Sequence, residues 1–316
     1  MNSMTSQPTV LVTGAAGFIG FALTRSLSEA GWKVIALDGL LGGLYPATEK
    51  KDRFDQLAAL PGVTPLQLDL RTDDLGVIPD TVTHIINEAA MPGLGLSWQD
   101  FELYSSCNVG ALSRLIDASR SWPLERFVQV STSSVYGKNA VGDETQALEP
   151  VSPYGVTKLA AENLVFAHMR DSGFPALVLR YFSVYGPGQR PDMAYRKFID
   201  KALAGEPITV YGSGEQSRSN TYIDDCVAGT VAALSGGKTG EIYNLAGGAE
   251  RSINEALAII ENRTGRPITR ITKAAARGDQ LRTMGNSAKA QEAFGFTNTT
   301  TLEDGLARQI EWQKSL

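Results

Sequence analysis

Cysteine and histidine are nearly absent. Only Cys107 and Cys226 occur among 316 residues, in no metal-like spacing, and only His84 and His168 accompany them. That excludes a disulfide framework, leaves no metal site to expect, and suits a reducing cytoplasm. Long apolar runs are missing too. None approaches the roughly 18 residues that a membrane span needs. The start, MNSMTSQPT, is short and polar and shows no secretory pattern. Basic excess is lacking as well. With 29 Lys and Arg against 34 Asp and Glu, the net charge is -5. Nucleic-acid or anionic-membrane binding as the main task is therefore not expected, since both need a basic footprint.

What is present is an ordinary globular composition, 43% hydrophobic and 20% charged, in a chain long enough for one large domain or two joined ones. Apolar runs alternate with helical spacing. TVLVTGA (9–15), WKVIALDG (32–39), VTPLQLDL (63–70), THIINEAA (83–90), RFVQVSTS (126–133) and PALVLRYFS (175–183) read as strands, and EIYNLAGG (241–248) as one more. Segments 18–31, 100–120 and 153–171 read as helices between them. This order predicts an α/β fold, a Rossmann-type doubly wound parallel sheet covered on both faces. After residue 184 the texture changes. Pro187 and Pro191 interrupt it, and a helix over 195–204, a short strand ITVYG and a helix from about 224 follow. The expected organisation is a nucleotide-binding unit over 1–183, to which 222–248 returns. A smaller interleaved C-terminal lobe, 184–221 and 249–316, would take the substrate in the cleft between them.

Gly14, Gly17 and Gly20 follow the first strand and open the first helix. Glycine suits a sharp turn, a bare-backbone approach to a pyrophosphate and close helix packing. Asp38 ends the second strand, where a carboxylate can accept from an adenosine ribose. GLLGG follows it without a nearby arginine, which favours NAD over NADP. The spacing is GxxGxxG, a departure from the commonest dinucleotide fingerprint.

Tyr154 and Lys158 lie four residues apart in SPYGVTK and share a helix face. A nearby ammonium is expected to lower the phenol's pKa and make it a base. Four hydroxyl residues, Ser131, Thr132, Ser133 and Ser134, crowd the end of the fifth strand, where ligands bind in open parallel sheets.

Together, VTGAAGFIG, LDLR, STSSVYG, SPYGVTKLAAE, LRYFSVYGPGQRPDMA, ITVYGSGEQSRS, YIDD and the late RGD resemble the extended short-chain dehydrogenase/reductase superfamily. The nearest branch is the NAD-dependent nucleotide-sugar epimerases and dehydratases, closest to the UDP-glucuronate and UDP-glucose 4-epimerases. The resemblance implies a cytoplasmic homodimer, built on a four-helix interface, that binds NAD and a nucleotide sugar. Tyr154 would take the proton of the sugar's 4-hydroxyl, Lys158 would hold Tyr154 and the nicotinamide ribose, and Thr132 would bond the same hydroxyl. Oxidation at carbon 4 to a keto sugar and reduction from the other face would invert the centre. Phe18, Ile19, Asp69, Leu70 and Ala89 would line the cofactor. Ser133, Ser134 and Ser183 would face the sugar, Arg190 the sugar or its phosphate, Tyr211 the base, and Arg218 and Arg277 the phosphates.

Dehydratases of this superfamily usually carry Asp and Glu at the two positions held here by Ser133 and Ser134, and decarboxylases usually carry Glu at the second. Hydroxyls there favour plain epimerisation. The alternatives are a dehydratase or decarboxylase that recruits Glu88 or Glu144, a reductase that releases its cofactor, and a non-catalytic NAD-binding protein. Three departures bear on the substrate. NEAAMPGLGLS stands for the usual HLAA and its following Arg, with Glu88 as a new acid and Gly95 in the Arg position. Arg218-Ser219-Asn220 replaces RDF, and Ser183 stands where hexose epimerases often have Asn.

Overall fold

The computed structural model describes residues 8–274 and 280–316. Seven strands form one parallel sheet: β1 (Thr9–Thr13), β2 (Lys33–Asp38), β3 (Val63–Gln67), β4 (His84–Asn87), β5 (Arg126–Thr132), β6 (Ala176–Tyr181) and β7 (Ile242–Leu245). Their order is β7-β6-β5-β4-β1-β2-β3. Sequence order therefore runs outward in both directions from the β1/β4 pair, as the alternating pattern predicts. At that switch the connecting chains leave to opposite sides and open a crevice at the carboxyl ends of the strands.

Side chains on β1 alternate between two cores. Val10 and Val12 join the core that contains Leu23 and Leu27 of helix α1 (Phe18–Glu29). Leu11 joins the other, with Leu112, Leu115 and Ile116 of α2 (Ala111–Ser119) and Val165 of α3 (Pro153–Ser172). Helix α4 (Ile223–Gly236) packs beside α1 through Val227, Ala233 and Leu234. A strand buried on both faces must be apolar throughout, which is why these runs look continuous in sequence.

The helix expected over 100–120 is interrupted. Phe101–Ser105 leads into a π turn at Ser106–Gly110 before α2 begins. Asn108, inside that turn, accepts from Met91 N (2.7 Å) and donates to Met91 O (3.1 Å) and Thr157 Oγ1 (3.0 Å). The widened turn lets this buried amide tie the loop after β4 to α3. π turns of this kind often mark functional sites.

Beyond the large sheet, Ser217–Ser219 pairs antiparallel with Glu250–Ser252 and parallel with Arg282–Thr283. Arg282–Thr283 in turn pairs with Asn139–Ala140. A strand from the first half of the chain thus closes this four-stranded sheet, a long-range pairing with no local sequence signal. Among the described residues no helix is long and apolar enough to cross a membrane.

Candidate active site

β1 ends at Thr13, and Gly14 turns with φ +70°. A Cβ there would lie 2.9 Å from Ala89 N, so the turn packs directly on the chain leaving β4. At Gly20 a Cβ would fall 2.1 Å from Gly14 O, which makes glycine obligatory where α1 passes the turn. Gly17 is the N-cap of α1 and supplies no side-chain bond. The first amides of the helix are thus left to face an anion. Asp38 is buried. Its oxygens accept from Ala16 N (3.0 Å) and Leu40 N (2.8 Å), which still leaves lone pairs for a hydroxyl donor. A backbone cradle beside a buried carboxylate fits a dinucleotide.

A buried side-chain relay fixes the floor of the crevice. Thr13 Oγ1 donates to Asn87 Oδ1 (2.7 Å), Asn87 Nδ2 to Gln129 Oε1 (2.9 Å), and Ala89 N to Thr13 Oγ1 (3.0 Å). The three side chains occupy paired positions on β1, β4 and β5. The relay explains Asn87 in NEAA, for which sequence offered no role.

Above this floor lies a cavity of about 550 Å³. Gly14, Gly17, Phe18, Ile19, Gly20, Asp38 and Ala89 line it from the side of β1 and β2. Thr132, Ser133, Ser134, Tyr154 and Lys158 line it from β5 and α3. Ser183 and Arg190, from the chain after β6, and Arg218, from Ser217–Ser219, close it. Asp69 and Leu70 line an adjoining cleft that shares Gly14, Asp38 and Ala89. There the Asp69 carboxylate is held by Arg71 (2.7 Å), whose hydrogen bonds keep its pKa below the usual carboxylate range. Tyr211 is not on the cavity wall; it is 49% exposed at the end of its strand. Arg277 lies outside the described residues.

Local chemistry sets each catalytic-type side chain. Ser152 caps α3 by accepting from Gly155 N (3.1 Å), and Pro153 takes the first helical position. Tyr154 and Lys158 then project from the first turns of α3. Thr132 Oγ1 accepts from Ser134 N (3.1 Å) and donates to Ser134 Oγ (3.2 Å). Ser133 Oγ donates to Gln280 Oε1 (3.1 Å), and Gln280 Nε2 returns bonds to Ser133 O (3.1 Å) and Gly137 O (2.8 Å). Gln280 is a site residue that sequence reasoning missed, since nothing local links it to a loop near residue 133. Tyr104 is another. Its ring meets the Tyr154 ring edge-on at 6.2 Å, and its hydroxyl bonds Pro92 O (2.6 Å) and Gly93 O (2.8 Å).

The electrostatics differ from the expected lowering of the phenol. Burial pushes Tyr154 up to about 12, with the Thr132 hydroxyl pulling down and Glu88 pushing further up. Burial also lowers Lys158, and the carboxylates of Glu88 and Glu162 oppose that. The desolvation of both groups outweighs local attraction in the protein by itself. Ser183 sits at φ +27°, a strained backbone for a residue with a Cβ. Arg190 is bidentate on Asp192 at 2.9 Å. Arg218 donates to Ser217 O (2.9 Å) and Gln280 O (2.5 Å), which ties it to the same segment as Ser133.

Residues 10–246 match the model of the NAD dependent epimerase/dehydratase family. A Bacillus subtilis protein described as an uncharacterized UDP-glucose epimerase is 39% identical over 97% of this chain and 98% of its own length. A UDP-glucuronate 4-epimerase of Thermodesulfobacterium geofontis is 32% identical over 96% of this chain and 95% of its own. The crystal structure of UDP-glucuronic acid 4-epimerase from Bacillus cereus, in complex with UDP-glucuronic acid and NAD, superposes with a TM-score of 0.94. It shares 35% identity and covers 97% of this chain and 99% of that one. With its glycine turn, its carboxylate at the end of β2 and its Tyr154–Lys158 helix gathered at one switch point, the chain belongs to the NAD-dependent epimerase/dehydratase family.

Proposed function

We propose that the protein is an NAD-dependent nucleotide-sugar 4-epimerase acting on a UDP-sugar, with UDP-glucuronate ahead of UDP-glucose and UDP-galactose. The observation that carries this reading is the end of β5 beside Tyr154, where Thr132, Ser133 and Ser134 present hydroxyls at the positions that carry acids in the lyases, while the carboxyl that shares the cavity, Glu88, comes from the chain after β4. Tyr154 takes the proton of the sugar's 4-hydroxyl and returns it, and Thr132 orients that hydroxyl. Lys158 supplies positive charge beside the phenol and the ribose. When bound, NAD supplies the hydride acceptor and donor that no side chain can provide. Gly14, Gly17, Phe18, Ile19, Gly20, Asp38, Asp69, Leu70 and Ala89 hold it. Inversion would follow if the 4-keto sugar presented its other face before hydride returned to carbon 4 and the proton to oxygen.

Ser133, Ser134, Ser183 and Arg190 suit a uronate, because they meet a carboxylate without offering an acid that would drive loss of carbon dioxide. In this reading segments 184–221 and 249–316 hold the nucleotide sugar, through Arg218 and Arg277 on the phosphates and Tyr211 at the base. The similarity to UDP-glucuronate 4-epimerases supports the uronate, and the Bacillus subtilis relative keeps UDP-glucose in play. A lyase reading needs a carboxyl group at the sugar. Of the two acids it could recruit, Glu88 lines the cavity and is the one on which that alternative rests, whereas Glu144 lies off the cavity wall and accepts from Asn244 N at 2.6 Å.

The test is a panel of UDP- and dTDP-sugars incubated without added reductant and analysed by separation-coupled mass spectrometry. A new peak of unchanged mass is expected. A product lighter by water or carbon dioxide would replace epimerisation with a lyase reaction. A homodimer is supported by exposed Trp98, Phe101 and Val156 on neighbouring helices, at 39%, 51% and 45% exposure. Light scattering should give twice the 33.9 kDa chain mass, and a monomer would remove that part of the proposal. The free thiols of Cys107 and Cys226 fit a cytoplasmic setting.

A further inference from the structure

Glu88 follows β4 directly and lines the cavity together with Tyr154, Lys158 and Arg190. Its Oε2 is buried and has no hydrogen-bond partner among the described residues. A buried carboxylate oxygen without a partner is costly and calls for an explanation. Tyr154 and Lys158 face Glu88 from α3, Arg190 from the loop after β6, Tyr181 from the end of β6 and Cys226 from α4.

The other charges nearby are already matched. Arg190 is bidentate on Asp192. Glu162, the second carboxylate acting on Lys158, is bidentate to Arg180 (2.7 and 3.0 Å) and accepts from Ser131. That leaves Glu88 and Lys158, which line the same cavity and act on each other's charge. We propose that Glu88 is a positioning residue of the catalytic cleft, the counter-charge that keeps the buried Lys158 ammonium ionised beside Tyr154. The catalytic meaning rests on the 4-epimerase reading; the coupling of the two charges does not.

The signs agree. Burial raises Glu88 to about 7, while Lys158 and then Arg190 pull it down. Burial lowers Lys158, and Glu88 is the largest group opposing it. Loss of the Glu88 charge therefore lets Lys158 shed its proton at lower pH. It also has a stability consequence. A carboxyl whose pKa is higher folded than unfolded contributes stability below its unfolded value, near ~4.3, that is lost as pH rises through about 7. Above that range the desolvation of ionised Glu88 is offset in part by Lys158, and Glu88→Leu should be less active.

The experiment is a carbon-13 NMR titration of glutamate side-chain carboxyls in the purified protein without substrate, with Glu88→Gln identifying the resonance. The expected midpoint is near 7, as for Glu88 in the structure. In Lys158→Met it should rise further, by about one unit or more. In turnover, Glu88→Gln should shift the alkaline limb of the kcat/KM profile to lower pH with KM changed less than a few-fold, and Glu88→Asp should restore part of it. A midpoint in the ordinary carboxyl range, or one unmoved by Lys158→Met, would overturn the proposal. If Glu88→Gln does not fold, Glu88→Leu identifies the resonance, and the Lys158→Met comparison uses native Glu88. Absence of any epimerisation would remove the 4-epimerase reading and leave the titration to decide the charge coupling.

Discussion

Tyr154→Phe is expected to lower kcat by about 10²- to 10⁴-fold, the usual contribution of a positioned general base. The substitution removes one oxygen and keeps the ring, so the edge-on contact with Tyr104 survives. Since burial holds the phenol near 12, it is neutral in the protein alone, and its loss removes no buried charge. The stability change should stay within about 1.5 kcal/mol, the scale of a single hydrogen bond. NAD retention should persist, because the glycine turn and Asp38 lie on the far side of the cavity from α3. Steady-state turnover with a UDP-sugar, cofactor content by absorbance and chemical denaturation together check this. Turnover within a few-fold of wild type would assign the base elsewhere.

Arg180→Met should cost about 3–5 kcal/mol, the scale of breaking a buried ion pair from one side. Arg180 and Glu162 have side chains only 1% and 3% exposed. Arg180 also donates to Tyr136 OH (2.8 Å), which donates to Asn244 Oδ1 (2.8 Å). Removing the guanidinium leaves the Glu162 carboxylate with Ser131 as its hydrogen-bond partner and the Lys158 charge nearby. The pairing is not expected to be stabilising in itself, because desolvating both ions offsets most of their attraction. The double variant Glu162→Leu/Arg180→Met should therefore recover most of the loss. Urea denaturation of the single and double variants measures the cycle. A cost below about 1 kcal/mol for Arg180→Met would show that Glu162 does not remain an unpaired buried charge, contrary to the penalty argued here. The network also reaches function. Ser131 precedes Thr132 on β5, so the ion pair fixes the strand end that carries the hydroxyl row.

How much of this was legible beforehand depends on the range of the forces involved. The β1 turn could be read because glycine is the only residue whose missing Cβ allows the contact of Gly14 with Ala89 and of Gly20 with Gly14. The place of Asp38 follows from strand length, and the shared face of Tyr154 and Lys158 from helical periodicity. The parallel sheet follows from alternating elements. These are local rules, satisfied within a few residues of chain.

Tertiary structure decided the rest. Gln280 reaches Ser133 across 147 residues, and Asn139–Ala140 pairs with Arg282–Thr283, through contacts that no local pattern encodes. The π turn at 106–110 exists because Asn108 must satisfy groups on two other segments. Tyr211, which the resemblance assigns to the base, lies half exposed at its strand end, and packing rather than local pattern set that exposure. Ion pairing in sequence looks like charge at a distance, whereas in the fold it is a competition with desolvation. That is why Tyr154 moves up when spacing to Lys158 alone says down, and why Glu88, one odd acid in NEAA, becomes the counter-charge proposed for the site.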